Sequence, residues 1–132
     1  MTDRTYWRLM DMKNAILEIR KLLIDKTPDA VATDMATRAA FERFLEILSE
    51  ASRHIPENWK SEHRDIPWRQ VADLGNFIRH VYHRIDLDVL WAIYTDDLDS
   101  LERVVDFSSI VRNRMFEMLP HRRIPNRFIP GE

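Results

Sequence analysis

The sequence predicts an all-α protein, an antiparallel four-helix bundle with one short extra helix. Three observations lead there. Apolar residues recur three or four apart through four long stretches, the spacing that lines one face of a helix. Only two glycines occur in 132 residues, too few for a turn-dense β fold. Prolines fall between the periodic stretches, where they end one helix and open the next. Short connectors between long helices imply antiparallel neighbours.

The first helix is predicted from about Thr5 to Ile24, with Leu9, Met12, Ile16, Ile19 and Leu23 on one face. Thr27-Pro28-Asp29 ends it, because proline cannot continue a helix and disfavours helical geometry in the residue before it. A second helix is predicted from about Ala30 to His54, with Met35, Arg38, Glu42 and Leu45 inside the pattern. Its apolar arc widens at Phe41, Phe44, Ile47, Leu48 and Ala51, as contact with two neighbouring helices requires. Glu50 lies near the edge of that arc and reads as a solvated flank. The polar run from His54 to Ile66, opened by Pro56, is a connector with one helical turn, and its His54 and His63 read as ordinary exposed histidines.

Pro67 suits the first turn of a third helix, followed by the aromatic anchor Trp68 and an apolar face of Val71, Leu74, Ile78, Val81, Tyr82 and Ile85. That helix is expected to reach about Arg84. A short segment from Leu87 to Tyr94 centres on Leu90 and Trp91. Asp97-Leu98-Asp99-Ser100 then reads as the cap of a final helix through Met118, buried along Leu101, Val104, Val105, Phe107, Ile110, Val111 and Met115. Residues 1–119 are thus the bundle, and 120–132, with three prolines, an irregular basic tail.

Composition excludes several classes of function. With no cysteine, disulfide frameworks, thiolate metal sites and cysteine nucleophiles are ruled out. No glycine-rich phosphate loop or nucleophile elbow occurs. Neither a signal-peptide pattern nor a membrane-spanning stretch is visible, so a soluble cytoplasmic protein is expected. The net charge of −2 gives no general attraction to nucleic acid. Charge is segregated, however: seven acids stand against Arg103 between Asp86 and Asp106, and five arginines against two acids from Arg112 to Glu132. The basic end could meet RNA, pack on the acidic segment, or simply be solvated.

Chemistry concentrates on the third helix. Opposite Ile78, the residues Arg69, Asp73, Asn76, His80 and His83 form one stripe at spacings of four, three, four and three. Imidazole moves protons near neutral pH, while Arg and Asn can hold a phosphate or a 2′-hydroxyl. The same stripe is also what any solvated helix face requires. His80 and His83 with Asp73 and Asp86 offer metal-ligand types, but zinc wants three or four converging ligands and helical His pairs are commonly spaced by four, so no metal or other cofactor is expected. A nucleotide-binding accessory role is a weaker alternative.

The stretch Arg38 to Val105 resembles the HepT-like family of the HEPN superfamily, small all-helical bacterial and archaeal proteins typically encoded beside a minimal nucleotidyltransferase. The segment from Phe41 to Ser52 is similar to that family's second core helix, whose Gly-Glu-Ala ending stands here as Ser49-Glu50-Ala51. Ile55-Pro56, Ile66-Pro67-Trp68, Asn76 to Tyr82, Ile85-Asp86, Val89-Leu90-Trp91 and Asp97 to Leu101 follow in the family's order, and the match covers about half of the chain. The resemblance implies an HEPN-like bundle that forms a homodimer, a toxin cutting RNA at a site between two subunits, and an antitoxin nucleotidyltransferase that neutralises it by AMP transfer to a tyrosine.

The family's signature is Arg, four residues, His, one residue, Tyr. His80 and Tyr82 take the His and Tyr positions, and Asn76 the Asn that commonly follows the Arg. By that resemblance His80 is the acid-base group and Tyr82 the modification site, with Asn76 and Arg79 completing the catalytic set, while Arg69 and His83, from the stripe itself, are expected to bind RNA. The Arg position itself holds Gly75. Arg79 is the nearest substitute, yet on an ideal helix it points about 100° from Ile78 against about 60° for Gly75, so it is expected to serve only through a helix shift or a second subunit. An inactive bundle that binds the nucleotidyltransferase is therefore the alternative.

Overall fold

The computed structural model describes residues 2–80, 87–106, 111–112 and 114–115, and among them every regular element is helical. The predicted all-α bundle is what the chain forms. Helix α1 (Asp3–Leu23) opens on Thr2, whose hydroxyl accepts from the Thr5 amide at 3.1 Å. Asp3 in its first turn and Arg20 and Lys21 in its last complement the helix dipole. Leu9, Met12, Ile16, Ile19 and Leu23 are all buried, as their spacing predicts. After Leu23 the chain turns through Asp25 at φ 59°, a left-handed conformation that Asp tolerates better than most residues.

The expected single helix from Ala30 to His54 is instead two, α2 (Pro28–Thr33) and α3 (Met35–Arg53). Asp34 separates them. Its extended backbone closes α2, while its carboxylate accepts from the Thr37 amide at 3.3 Å and the Thr37 hydroxyl at 2.8 Å. The capping bonds outcompete the apolar period, which runs on through the break. Met35, expected inside the buried pattern, is 84% exposed. Beyond it the wide arc is as predicted: Phe41, Leu45, Leu48 and Ala51 are buried where α3 packs on α1 and on α5 (Trp68–His80).

The connector contains the expected helical turn, α4 (Glu57–Ser61). Trp68 anchors its far end, donating its indole N–H to the His63 carbonyl at 3.0 Å and meeting Trp59 edge-on. His63 is not the freely exposed histidine expected: it is half-buried, its ring 4.4 Å from that of Trp59 between centroids. Val71, Gly75 and Ile78 form the buried side of α5. The residues from Val81 to Arg84 that were assigned to this helix lie outside the described residues.

Helix α6 (Leu87–Ala92) passes through a π-helical turn (Ile93–Asp97) into α7 (Leu98–Val104), making one broken rod. Asp97 does not cap a separate helix: its backbone is already helical and its side chain makes no capping bond. The rod also stops at Val104 rather than continuing to Met118, after which residues 111, 112, 114 and 115 are helical again. The β-branched pair Val104-Val105, followed by Asp106, is a weak place to propagate a helix. Phe107, Ile110, Met118 and the tail 120–132 lie outside the described residues; of the remaining expected stripe, Leu101, Val104 and Val105 are buried, Val111 is half-buried and Met115 is 57% exposed.

Two sets of ionic contacts tie the ends together. Arg20 of α1 bonds Glu102 and Asp99 of α7, so the acidic segment meets the first helix. Arg114 reaches Asp3 at 2.6 Å and lies 4.4 Å above the Tyr6 ring. Among the described residues no helix is long and apolar enough to cross a membrane.

Candidate functional site on the third long helix

Helix α5 buries Val71, Gly75 and Ile78 and therefore turns its other side outward. Arg69, Asp73, Asn76 and His80 are all exposed along that side, the stripe that the spacing predicts. Phe77, beside it, is 43% exposed. His83 and Tyr82 lie outside the described residues. Among those described, no group of three or more His, Asp or Glu side chains is arranged to hold a metal ion.

Gly75 is where the backbone of α5 bonds to α3. Its amide N–H donates to Ser49 Oγ at 2.9 Å, and the Ser49 hydroxyl donates onward to the Ala72 carbonyl at 3.0 Å. Ser49 is 1% exposed, so each bond of this brace is worth making. Periodicity did not single out Ser49; its only signal is that it stands where the resembled Gly-Glu-Ala ending has glycine.

Arg79 behaves differently from the ideal-helix expectation. Its guanidinium reaches back to Gly75, with Nη1 3.6 Å from where a Cβ there would be, an ordinary contact distance. The reason is length: helical side chains lean toward the N-terminus, and an arginine stem spans one turn. Nη2 donates to Asn76 Oδ1 at 2.6 Å, while Nη1 faces Glu46 Oε2 at 4.0 Å. Arg43 approaches the same Glu46 oxygen at 3.8 Å.

Arg79 lines a polar cleft of about 200 Å³ between α1, α3 and α5, together with Arg8, Asp11, Arg43, Glu46 and Glu50. Glu50 is exposed, as expected of a flank, and its Oε1 accepts from the His54 Nε2–H at 3.1 Å. That contact holds the Glu50 carboxyl below its ordinary range. A second, apolar cleft of about 140 Å³ lies between Leu48, Val71, Leu74, Ile93 and Leu101, with Asp97 on its wall. Burial, and then the neighbouring Asp96, pushes the Asp97 carboxyl up.

Residues 12–107 match the family model described as "Ribonuclease HepT-like". A chain of Thermococcus cleftensis named "Probable ribonuclease HepT" is 35% identical over 94 residues, covering 71% of this chain and 86% of that one. One of Methanocaldococcus jannaschii named "Putative RNase MJ1380" is 29% identical over 98 residues, covering 74% of this chain and 87% of that one. No solved structure gives a significant match.

Proposed function

The chain belongs to the HepT-like ribonuclease family, and on that premise we propose that it is the toxin of a toxin–antitoxin pair, a metal-independent endoribonuclease of the cytoplasm. The observation that carries the reading is the exposed line of Arg69, Asp73, Asn76 and His80 on α5, within the matched residues 12–107. Relatives named as RNases make RNA the substrate to test.

The chemistry follows from those side chains. His80 takes the proton from a ribose 2′-hydroxyl, and the 2′ oxygen attacks the adjacent phosphorus. The P–O5′ bond breaks, the proton returns through the imidazole to the departing 5′ oxygen, and a 2′,3′-cyclic phosphate and a 5′-hydroxyl result. Asn76 and Arg79 stabilise the charge that develops on the phosphoryl oxygens, while Arg69 and His83 hold the strand on either side.

A single convex helix gives RNA little to enter. Pairing two copies across α5, with the exposed Phe77 in the contact, would turn the stripe into a groove, so the active form is a homodimer. The bundle unit is residues 1–119, with 120–132 a basic tail. The antitoxin partner is a minimal nucleotidyltransferase. The Tyr82 phenolate attacks the α-phosphorus of ATP, pyrophosphate leaves, and the bulky anionic AMP adduct beside His80 excludes RNA by charge and volume.

One experiment tests the core of this: cleavage of RNA by purified protein with chelator present, wild type against His80→Ala. Cleavage that His80→Ala abolishes is expected, and an inactive wild type would overturn it. Incubation with the partner and ATP should add one AMP mass at Tyr82. A second reading is favoured by Gly75, which is buried against Ser49 at the position where the family motif has arginine. In it the bundle is catalytically inactive and serves as the nucleotidyltransferase's binding partner, which stable complex formation without RNA cleavage would support.

A further inference from the structure

The apolar cleft between α3, α5 and the broken rod lies away from the exposed stripe. Leu48 lines it from α3, Gln70, Val71 and Leu74 from α5, and Ile93 and Asp97 from the rod. On an ideal helix Gln70 and Leu74 fall on one side of Ile78, with Gly75 and Arg79 on the other. The cleft is therefore separate from the Gly75 brace and from Asn76 and His80. Its volume is about 140 Å³, below the roughly 300–1,000 Å³ of pockets for cofactors and drug-sized ligands, and suits a single side chain.

One wall carries a charge that the fold leaves unanswered. Arg20 bonds Asp99 and Glu102 further along the rod, but among the described residues no basic side chain meets Asp97. Partial burial and the neighbouring Asp96 disfavour its ionised form, and a carboxylate against apolar surface is costly unless it is paired. Ile93 and Asp97 are the first and last residues of the π turn, and both line the cleft. Such turns are frequent at functional sites. An apolar pocket with a few convergent polar groups and a perturbed acid is the common form of a binding site.

We propose that this cleft is a socket for an arginine side chain of a partner protein, with the aliphatic stem against Leu48, Val71, Leu74 and Ile93 and the guanidinium on the Asp97 carboxylate. Arginine joins the two surfaces that the cleft presents, an apolar stem and a cationic head that gives up its water more readily than an ammonium. The carboxylate can take two N–H groups of the planar fork, and Gln70 offers an amide oxygen for another. Arginines seated in such pockets are frequent anchors of protein interfaces.

The test follows the backbone amides of the isotope-labelled full chain by NMR during titration with two probes. One is arginine blocked as its N-acetyl N-methylamide; the other is the citrulline equivalent, which keeps the shape and lacks the charge. The arginine probe should shift the amides of Val71, Leu74, Ile93 and Asp97 saturably at millimolar concentration, and the citrulline probe should bind about tenfold more weakly. Asp97→Asn should erase that difference. Leu74→Phe, which fills the cleft, should weaken both probes. The absence of a saturable shift, equal binding of the two probes, or arginine binding untouched by Asp97→Asn would overturn the proposal. Unblocked arginine binding more tightly than the blocked form would also overturn it, by marking a metabolite site. So would an Asp97→Asn substitution that shifts the amides of residues 120–132 without any probe, since the chain's own basic end would then be the occupant. None of these outcomes bears on RNA cleavage, so the two readings stand or fall separately.

Discussion

Replacing Gly75 with alanine sets two effects of known size against each other. In a helix interior the change favours the helical backbone by about 1 kcal/mol. Against this, the new Cβ stands 3.0 Å from Ser49 Oγ, and relieving the contact means turning a hydroxyl that now bonds both Gly75 and Ala72. Losing those two buried bonds costs about 1 kcal/mol each. Gly75→Ala is therefore expected to destabilise the protein by about 1 kcal/mol net. In a Ser49→Ala background the hydroxyl has already gone, and the remaining 3.4 Å approach to Cβ is an ordinary contact. There the same substitution should stabilise by about 1 kcal/mol, a coupling of about 2 kcal/mol between the two sites. Urea unfolding of the wild type, both single variants and the double variant measures the cycle. In thermal melts the sign reversal should appear as shifts of about 4 °C in opposite directions. A Gly75→Ala protein more stable than wild type, or two sites whose effects simply add, would refute the claim that Ser49 dictates the residue at 75.

Other tests address the frame around the site. Asp34→Ala should lower the thermal midpoint more than Asp34→Asn, because Asn retains an acceptor for the Thr37 amide. The bonds from Thr37 hold the Asp34 carboxyl below its ordinary value, so its stabilisation is present above the unfolded pKa of about 3.9 and is lost as pH falls through the lower folded value; melts between neutral and acid pH read this directly. Asp97 has the opposite sign. Burial and then Asp96 raise its folded pKa, so its charge opposes folding at neutral pH, and Asp97→Asn should raise the midpoint there, with the gain disappearing once acid protonates the wild-type carboxyl. Arg20→Ala removes the bonds to Glu102 and Asp99, is expected to cost about 1 kcal/mol, and should cost less in concentrated salt, which screens these partly exposed pairs.

What could be read from the sequence, and what could not, divides along the physics. Leu9 to Leu23 and Phe41 to Ala51 announced their buried faces because burial imposes a period, and the outward stripe of α5 followed as the complement. The break at Asp34 was hidden because capping is a local contest between one carboxylate and the backbone, in which hydrophobic spacing has no part. Asp97 misled in the reverse sense: an acid before a helical pattern looks like a cap, but the chain reaches it already wound in a π turn. At the site, periodicity located Asn76 and His80 on α5, Arg79 entered only as the nearest substitute for the motif arginine, and Ser49 went unnoticed, since a hydroxyl on one helix and a glycine on another are joined only by the fold. The reach of Arg79 was underestimated because a helical wheel records the direction of Cβ and ignores where a flexible stem takes its end.

The π turn at Ile93–Asp97 has a consequence for how this chain tolerates changes in length. A π turn accommodates one residue more than the α-helical turn it replaces, with the helices on either side keeping their directions. The Thr95 hydroxyl accompanies the irregularity by donating to the Trp91 carbonyl at 3.2 Å. Removing one residue from this turn would let α6 and α7 join as an uninterrupted α-helix, leaving Leu90 and Leu98 on the faces they already bury. The same deletion in the middle of α3 would rotate everything beyond it by about 100° and pull Ser49 away from Gly75. The rod thus contains a register buffer, a place where the gene can lose a codon while the architecture around α5 stays in phase.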